Sequence, residues 1–466
     1  MIRIIVILFT FLVVHNSALN GQCDTKCYSL KPFPQDLTID YKKTNVYTEK
    51  SRFFETSMPY TAFNYGNEDR TVLIRADRYI IYNGNSYYKN LILYDIASKQ
   101  IIDTIITPYF TPFYHIPIVV ADIDGDCEVD IFIATSSFIY NDPKERKKIL
   151  CYTMNGALKW ISDVEYGLDK SSEAGLLMTL SVADFNHDGI SEVYLGNEIF
   201  NGMTGVKLCE SKDNRNLFTM SIAANIDDDE NLELVMGYTI YKVNIVNPDS
   251  LDGNTMIAYN FDINGKYYDG YASLADVNND GRLDVIVNPQ FQNEMGIYIY
   301  TFINDSFHLL SKTSNEKFPY YWDGGPVSIY KNRQDSNMNF IFKSLFDGNV
   351  LKNYELDGDT IKLKWIQKMN ENSDIGYVSI YDFNNDGNYE IVFHDTDSLF
   401  VVTERKGKPV KLYSYPCISG TAHEYPLIVG FGNNTKICIT CTDRNYDNGR
   451  LTIFGPPEGQ RWAPAR

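Results

Sequence analysis

Short apolar runs separated by polar turn clusters extend along almost the whole chain. The runs are rich in β-branched and aromatic residues, as in DIFIA from Asp130 and DVIV from Asp284, and Gly, Asn and Asp cluster between them. This composition and spacing are typical of strands, and no stretch carries the apolar period of an amphipathic helix. The pattern therefore predicts an all-β protein.

An acidic nonapeptide followed by an apolar run recurs five times. Its copies DIDGDCEVD, DFNHDGISE, NIDDDENLE, DVNNDGRLD and DFNNDGNYE begin at Asp122, Asp184, Asn225, Asp276 and Asp382. The last interval is about double the others, and an eroded copy lies within it, at 327–342. That copy places Lys331 and Arg333 at the positions of Asp382 and Asn384. We interpret these two cations as a replacement for a bound metal ion.

Two further units keep the strands but lack the acids, and they begin at Thr71 and Lys436. The resulting eight units of about fifty residues have the length of four-stranded propeller blades. The period therefore predicts a seven- or eight-bladed β-propeller over residues 61–466. The count stays open because the first unit rests on strand similarity alone, and residues 28–60 are candidates for a closing strand. A parallel β-helix would need shorter coils.

Oxygen-bearing side chains within each nonapeptide have the spacing of a hard-cation site. Positions 1, 3, 5 and 9 are Asp, Asn or Glu, and position 6 is Gly in the copies at 184, 276 and 382. Alternating oxygen ligands, a sharp turn and a closing carboxylate suit Ca²⁺ better than Mg²⁺. An EF-hand would place Glu at position 12. The twelfth residues here are the apolar Ile133, Leu195, Met236, Val287 and Phe393. We predict that these loops bind calcium.

These loops, with their strand flanks, resemble the FG-GAP-like or VCBS repeats of the integrin α N-terminal β-propeller. The resemblance covers about residue 63 to the C-terminus. It implies a propeller with Ca²⁺ as cofactor, bound in the loops between the first two strands of several blades. The ligands that it implies are Asp122, Asp124, Asp126, Asp130, Asp184, Asn186, Asp188, Glu192, Asn225, Asp227, Asp229, Glu233, Asp276, Asn278, Asp280, Asp284, Asp382, Asn384, Asp386 and Glu390.

Two copies depart from the repeat pattern. Cys127 and Glu230 replace the position 6 glycine, where a positive φ costs a non-glycine residue about 1 kcal/mol. Asn225 replaces the leading acid. The Phe-Gly and Gly-Ala-Pro signatures of the family are missing, so an adhesive function does not follow from the resemblance alone.

The N-terminus predicts export. Arg3 precedes an apolar run over 4–14 that is too short to span a bilayer, and small residues follow it. Residues 1–21 are therefore interpreted as a signal peptide, with a membrane anchor as the alternative, and residues 22–60 as an N-terminal segment. We expect a secreted, extracellular or cell-surface chain that has no membrane insertion after signal removal.

Charge and cysteine content narrow the partners. The net charge of −18 argues against nucleic acid and against anionic membrane surfaces. Eight cysteines in 466 residues are too few for a disulfide scaffold. Candidate bridges join Cys127 to Cys151, and Cys417 to Cys438 or Cys441. Zinc at the Cys438–Cys441 pair is the less favoured alternative.

Strand parity predicts the metals on one face of the propeller and the blade connectors on the other. Several connectors are aromatic. Candidates for a platform that stacks against a glycan or a peptide are Phe110, Tyr114, Tyr320, Tyr321 and Trp322. The alternative is that these rings pack between neighbouring blades.

The leading functional hypothesis is a secreted module for binding or adhesion, with an extracellular protein or glycan as its partner. A polysaccharide lyase-like enzyme on a calcium propeller is an alternative, for which His115 and His423 lie in aromatic connectors. We assign no catalytic residues, because the chain carries no recognisable catalytic motif. A third hypothesis is an architectural module of a longer exported protein.

Overall fold

All regular secondary structure in the described part of the chain is β-strand. The structure is a computed structural model that describes residues 37–40, 60–65, 70–82, 85–95, 100–111, 118–126, 128–135, 147–166, 179–211, 220–227, 229–263, 266–267, 270–289, 296–313, 325–333, 335, 337–344, 349–370, 378–418, 426–429, 435–441 and 450–454. No helix in these ranges has the length and apolar character needed to cross a membrane. The predicted signal peptide lies outside them.

The described strands form eight four-stranded antiparallel sheets, which we number I to VIII in chain order. Sheets I to IV contain, in this order, Tyr60–Tyr65, Arg70–Tyr82, Asn85–Asp95 and Gln100–Thr111; Val119–Ala121, Asp130–Ala134, Ile149–Thr153 and Leu158–Ile161; Leu180–Ala183, Glu192–Leu195, Glu198–Asn201 and Lys207–Glu210; Ser221–Ala224, Glu233–Met236, Thr239–Asn244 and Thr255–Asn260. In each sheet, strands consecutive in sequence are neighbours in space.

The second half of the chain repeats this architecture. Sheets V to VII contain Gly270–Ala275, Asp284–Pro289, Tyr298–Ile303 and Ser306–Lys312; Ser328–Tyr330, Asn339–Ser344, Val350–Asp357 and Thr360–Lys368; Ser379–Tyr381, Glu390–His394, Ser398–Arg405 and Lys408–Pro416. Sheet VIII contains Leu427–Val429, Lys436–Cys441 and Arg450–Phe454, with Leu37–Asp40 as its fourth strand. A short ladder pairs Asp262–Ile263 with Lys266–Tyr267.

Burial falls from the second to the fourth strand of a sheet. The second strands are buried on both faces, as in Asp130–Ala134 and Glu390–His394, which explains their nearly continuous apolar sequences. The fourth strands alternate buried and exposed positions, as in Thr360–Lys368. The core lies between neighbouring sheets, where for example Phe132 of sheet II packs with Val193 of sheet III. Each sheet therefore buries both faces near its first strands.

The first strands of consecutive sheets lie side by side. Contacts join those of sheets I and II, II and III, and each consecutive pair from IV to VIII, and the first strand of sheet VIII also contacts that of sheet I. Between sheets III and IV, Ser221 N–H donates to Thr179 Oγ1 at 2.7 Å. Ser273 and Ser328 donate their hydroxyls to Val327 O and Val378 O at the start of the next sheet. A repeated serine bond thus helps to hold adjacent sheets together.

The N-terminal segment supplies a strand to the last sheet. Leu37–Asp40 pairs antiparallel with Arg450–Phe454, with Leu37 opposite Ile453 and Asp40 opposite Arg450. The sheet that contains the last described strand of the chain is therefore completed by the first described one. This pairing covers an edge that would otherwise present unpaired backbone groups.

The cysteines follow only part of the predicted pairing. Cys417 forms a disulfide with Cys441, as one of the two candidate pairings expected, and this excludes zinc at Cys438 and Cys441. Cys438 is a free, buried thiol. Cys151 is also free and buried, so the predicted bridge from Cys127 to Cys151 is wrong. Its side chain lies in a strand whose neighbours are apolar, and such burial is common for unpaired cysteine.

Candidate metal centres

The acidic loops join the first and second strands of their sheets, as predicted. We name each loop after its sheet: loop II (122–130), loop III (184–192), loop IV (225–233), loop V (276–284), loop VI (331–339) and loop VII (382–390). The ninth residue of each loop is also the first residue of the second strand. Loop VI is the eroded copy.

Loops III, V and VII share one hydrogen-bond pattern. In loop V, Asp276 accepts from the backbone N–H groups of Asp280 at 3.1 Å and Gly281 at 3.0 Å, and Asn278 Oδ1 accepts from Asp280 N–H at 2.9 Å. The corresponding bonds in loops III and VII measure 2.8 to 3.1 Å. The side-chain oxygens of positions 1, 3 and 5 are therefore gathered around a single turn.

The turn in these three loops requires two residues with positive φ. Position 4 is left-handed, with φ of 57° at His187, 60° at Asn279 and 58° at Asn385. Position 6 is glycine with φ near 90° in each, for example 93° at Gly281. A Cβ added at Gly281 would meet no atom within 4 Å, so backbone conformation rather than space requires glycine there.

The position 9 carboxylates are buried beneath their loops. One oxygen accepts the N–H of position 2, as between Asp284 Oδ2 and Val277 at 3.0 Å, and Glu192 and Glu390 make the same bond at 2.8 and 2.9 Å. Asp284 is 0% exposed, and although the Thr301 hydroxyl lies near enough to lower its pKa, no described group makes a hydrogen bond of good geometry to its Oδ1. A buried carboxylate oxygen without a partner is costly unless a cation or proton satisfies it.

Burial and crowding act together on these carboxylates. The pKa of Glu192 is raised to about 8, chiefly by burial and to a smaller extent by the nearby charges of Asp188 and Asp184. The same causes raise the pKa of Asp284 to about 7 and that of Glu390 to about 8. The loops therefore concentrate negative charge in a partly desolvated place, which is the environment that a hard cation relieves.

Loops II and IV gather their carboxylates even more tightly, but each also contains an ammonium group. Carboxylate oxygens of the first three Asp residues of loop II lie within 4.8 Å of one another, as do those of Asp227, Asp229 and Glu233 in loop IV. Lys242 Nζ lies 2.7 Å from Asp227 Oδ2 and 3.4 Å from Asp229 Oδ2. Sequence reasoning missed this lysine, which belongs to the third strand of sheet IV.

Lys159 has the corresponding role in loop II. Its Nζ lies 2.8 Å from Asp130 Oδ2 and 3.8 Å from Asp124 Oδ2. Lys159 belongs to the fourth strand of sheet II, within Leu158–Ile161. The position 3 and position 9 carboxylates of loop II are therefore already paired with a cation of the same sheet.

A lysine also contacts the eroded loop VI, and it belongs to the fourth strand of sheet VI rather than to the loop itself. Lys364 Nζ lies 3.5 Å from Asp335 Oδ2, 3.2 Å from Asn339 Oδ1 and 2.8 Å from Glu404 Oε1 of sheet VII. We predicted a replacement cation in this loop and named Lys331 and Arg333 for it. The structure instead places the ammonium group of Lys364 against the loop.

The backbone of loop IV differs from the prediction. Glu230 does not adopt positive φ, so the expected strain at position 6 is absent there. Asn225 donates its amide to the carbonyl of Asp229 rather than accepting backbone N–H groups, as Asp276 does. The position 9 carboxylate of loop IV makes the same hydrogen bond as in the intact loops: Ile226 N–H donates to Glu233 Oε2 at 3.0 Å. Cys127, at position 6 of loop II, lies outside the described residues.

Neighbouring loops contact each other across sheet boundaries. His187 Nε2 of loop III hydrogen-bonds with the carbonyl of Glu230 in loop IV. Arg333 N–H donates to Gly387 O at 2.7 Å, which joins loop VI to loop VII. Loop III is thus joined directly to loop IV, and loop VI to loop VII.

Most of the aromatic residues that we predicted to bind a ligand lie outside the described residues. Phe110 belongs to the last strand of sheet I, Gln100–Thr111, but its side chain is not described. Tyr114, Tyr320, Tyr321 and Trp322 lie outside the described residues, as do His115 and His423. The platform therefore stays a prediction from sequence.

Comparison with known proteins identifies no family for this chain and gives only distant structural matches. No family model and no curated protein matches the chain. Among solved structures, the V. cholerae biofilm matrix protein Bap1 is 14% identical over 92% of both chains, with a TM-score of 0.38. The Dos1 propeller is 10% identical over 73% of this chain and 93% of its own, with a TM-score of 0.37. BBS1N in complex with ARL6DN is 10% identical over 75% and 94%, with a TM-score of 0.40.

Proposed function

We propose that the eight sheets are the blades of one closed β-propeller. The first strands lie side by side from sheet to sheet, and that of sheet VIII contacts that of sheet I. The strand Leu37–Asp40 completes sheet VIII from the other end of the chain. Both features support closure, since a closed array leaves no exposed first or last sheet. Single-particle images should show eight peripheral lobes, and seven would contradict this count.

We further propose that this propeller binds Ca²⁺ in loops III, V and VII. The observation that carries the proposal is the unpartnered, fully buried Asp284 Oδ1, in a loop whose positions 1, 3 and 5 present oxygens around one turn. Asp276, Asn278, Asp280 and Asp284 would hold the ion in loop V. Their equivalents in loops III and VII make the same backbone bonds. Oxygen ligands suit calcium, which tolerates a flexible coordination geometry.

The direct test is the number of calcium ions per chain. Purified protein is stripped with chelator, dialysed against calcium at about 10 mM, which exceeds the expected Kd at least about tenfold, and analysed for calcium and protein content. We expect three ions, together with binding isotherms in the range of extracellular calcium modules, at Kd on the order of 10⁻⁴ to 10⁻³ M. Protein that retains no calcium, and whose melting temperature ignores chelator, would contradict the proposal.

For biological activity we propose a secreted module that binds an extracellular protein or glycan. The predicted signal peptide, the acidic charge and the aromatic connector segments support this role. A glycan array probed with the wild-type chain and with Trp322→Ala tests it. We expect binding by the wild type that the substitution weakens at least tenfold. Equal absence of binding to glycans and to extracellular proteins would favour an architectural role.

A further inference from the structure

The lysines that enter the acidic loops follow a positional rule. In most sheets the fourth strand contains a β-bulge, where its pairing register with the third strand shifts. We call the residue of the fourth strand that has no partner at this shift the bulge residue. That residue is Lys159 in sheet II and Lys364 in sheet VI, each within the tripeptide Leu-Lys-Trp. At the equivalent position, the sheets of the three intact loops carry Leu208, Leu310 and Leu412.

Sheet IV reaches the same result by another route. Its third and fourth strands pair from Thr239 to Asn244 without a register shift, so it has no bulge residue. Its lysine instead comes from the third strand, where Lys242 lies directly opposite Glu233. Asp305, in the last hairpin of sheet V, also contacts the Lys242 ammonium, at 3.2 Å. This neighbour helps to hold the lysine in place.

The position 6 residue varies together with the lysine. Loops II, IV and VI have Cys127, Glu230 and Ser336 at position 6, and each belongs to a sheet with a lysine at the loop. Loops III, V and VII have glycine there, and no lysine ammonium lies within 4.0 Å of their described carboxylates. The chain therefore contains two kinds of acidic loop, and the difference involves two separate parts of each sheet.

An ammonium group and a calcium ion would compete for the same oxygens. Calcium oxygen distances are about 2.3–2.6 Å, and Lys242 Nζ already lies 2.7 Å from Asp227 Oδ2. A single and a double positive charge this close together repel strongly where solvent is partly excluded. Each loop can thus hold one cation or the other at this place.

We propose that Lys159 and Lys242 are built-in cations that exclude calcium from loops II and IV, and that loop IV without Lys242 becomes a calcium site. This inference rests on the proposed calcium binding of loops III, V and VII. Glu233 supports the second part, because it is 0% exposed and its Oε1 has no hydrogen-bond partner among the described residues. The loop thus keeps an unused buried ligand atom beside the lysine.

The test compares calcium content in Lys242→Met with that in the wild type and in Lys242→Arg. Methionine keeps the length of the apolar stem but removes the charge, whereas arginine keeps the charge. We expect three ions per chain in the wild type and in Lys242→Arg, and four in Lys242→Met. Lys242→Met should also gain a larger rise in melting temperature from calcium than the wild type does.

Lys159→Met in loop II and the double variant Lys242→Met/Glu230→Gly cover the case in which Lys242→Met fails to fold. The double variant restores glycine at position 6, and we expect four ions in it. Five ions in the wild type would overturn the inference and leave calcium binding by the propeller intact. Three ions in folded variants without lysine would also overturn it. No ions in the wild type would instead defeat the proposed function on which the inference rests.

Discussion

Loops IV and V lie in neighbouring sheets and carry nonapeptides with oxygen-bearing side chains at the same positions, yet their buried negative charge is neutralised in different ways. Loop V leaves Asp284 Oδ1 buried without a partner, and its glycine at φ 93° shapes the turn. Loop IV holds Lys242 at 2.7 Å from Asp227 and places Glu230 at position 6 without positive φ. A motif that predicts metal ligands therefore needs a second question, namely whether the sheet already supplies the cation.

The first prediction concerns the removal of calcium from the whole protein. At about 1 mM calcium, a site with Kd on the order of 10⁻⁴ to 10⁻³ M stabilises the fold by about 1 kcal/mol, so three sites contribute about 3 kcal/mol. Chelator should therefore lower the free energy of unfolding by about that amount, as measured by urea titration. A free energy of unfolding that is the same in calcium and in chelator would contradict calcium binding by the loops.

The second prediction concerns the turn rather than the ion. Gly281→Ala should cost about 1–2 kcal/mol, because alanine at φ 93° is strained even where its Cβ has space. Glu230→Ala, at the same position of loop IV, should change stability by less than about 0.5 kcal/mol. Both are measured by urea titration in chelator, so that calcium does not contribute. Equal losses would mean that the two loops share one backbone conformation after all.

Much of the difference between loops IV and V could be predicted from sequence. The rest depends on how the strands pair in the folded sheet. That a buried strand follows each loop was predictable, because the residues after each loop form a continuous apolar run. Glycine at position 6 marked the intact loops correctly. The position of Lys242 was not predictable, because its approach to the loop depends on the register that sets it opposite Glu233.

The two lysines at bulge positions share a short sequence pattern. Lys159 and Lys364 both stand in Leu-Lys-Trp, and Trp160 and Trp365 are both buried. The repeat of this tripeptide in two units indicated a shared environment, but not that the lysine faces the loop. A bulge changes which side a residue faces, and strand sequence alone rarely reveals it. The interpretation of Lys331 and Arg333 as replacement cations stays a prediction, and it did not name Lys364, whose ammonium group contacts the loop.

The third prediction separates the two classes of loop by removing their leading acids one at a time. Asp276→Asn should lower the calcium content from three ions to two and reduce calcium-dependent stabilisation by about 1 kcal/mol, because position 1 loses its charge. Asp122→Asn, the matched change in loop II, should leave three ions bound. Elemental analysis after dialysis measures both. An equal loss in the two variants would contradict the division into two classes.

The last prediction transfers the lysine to an intact loop. Leu412 is half-buried and occupies the bulge position of sheet VII that Lys159 and Lys364 occupy in theirs. Leu412→Lys should therefore bring an ammonium group to loop VII and lower the calcium content from three ions to two. The free energy of unfolding in calcium should change by less than about 1 kcal/mol, since one cation replaces another. Leu412→Met, which adds no charge, should keep three ions. If the folded lysine variant also kept three, the bulge position would not be sufficient to exclude calcium, and the leucines of the intact sheets would be a matter of packing alone.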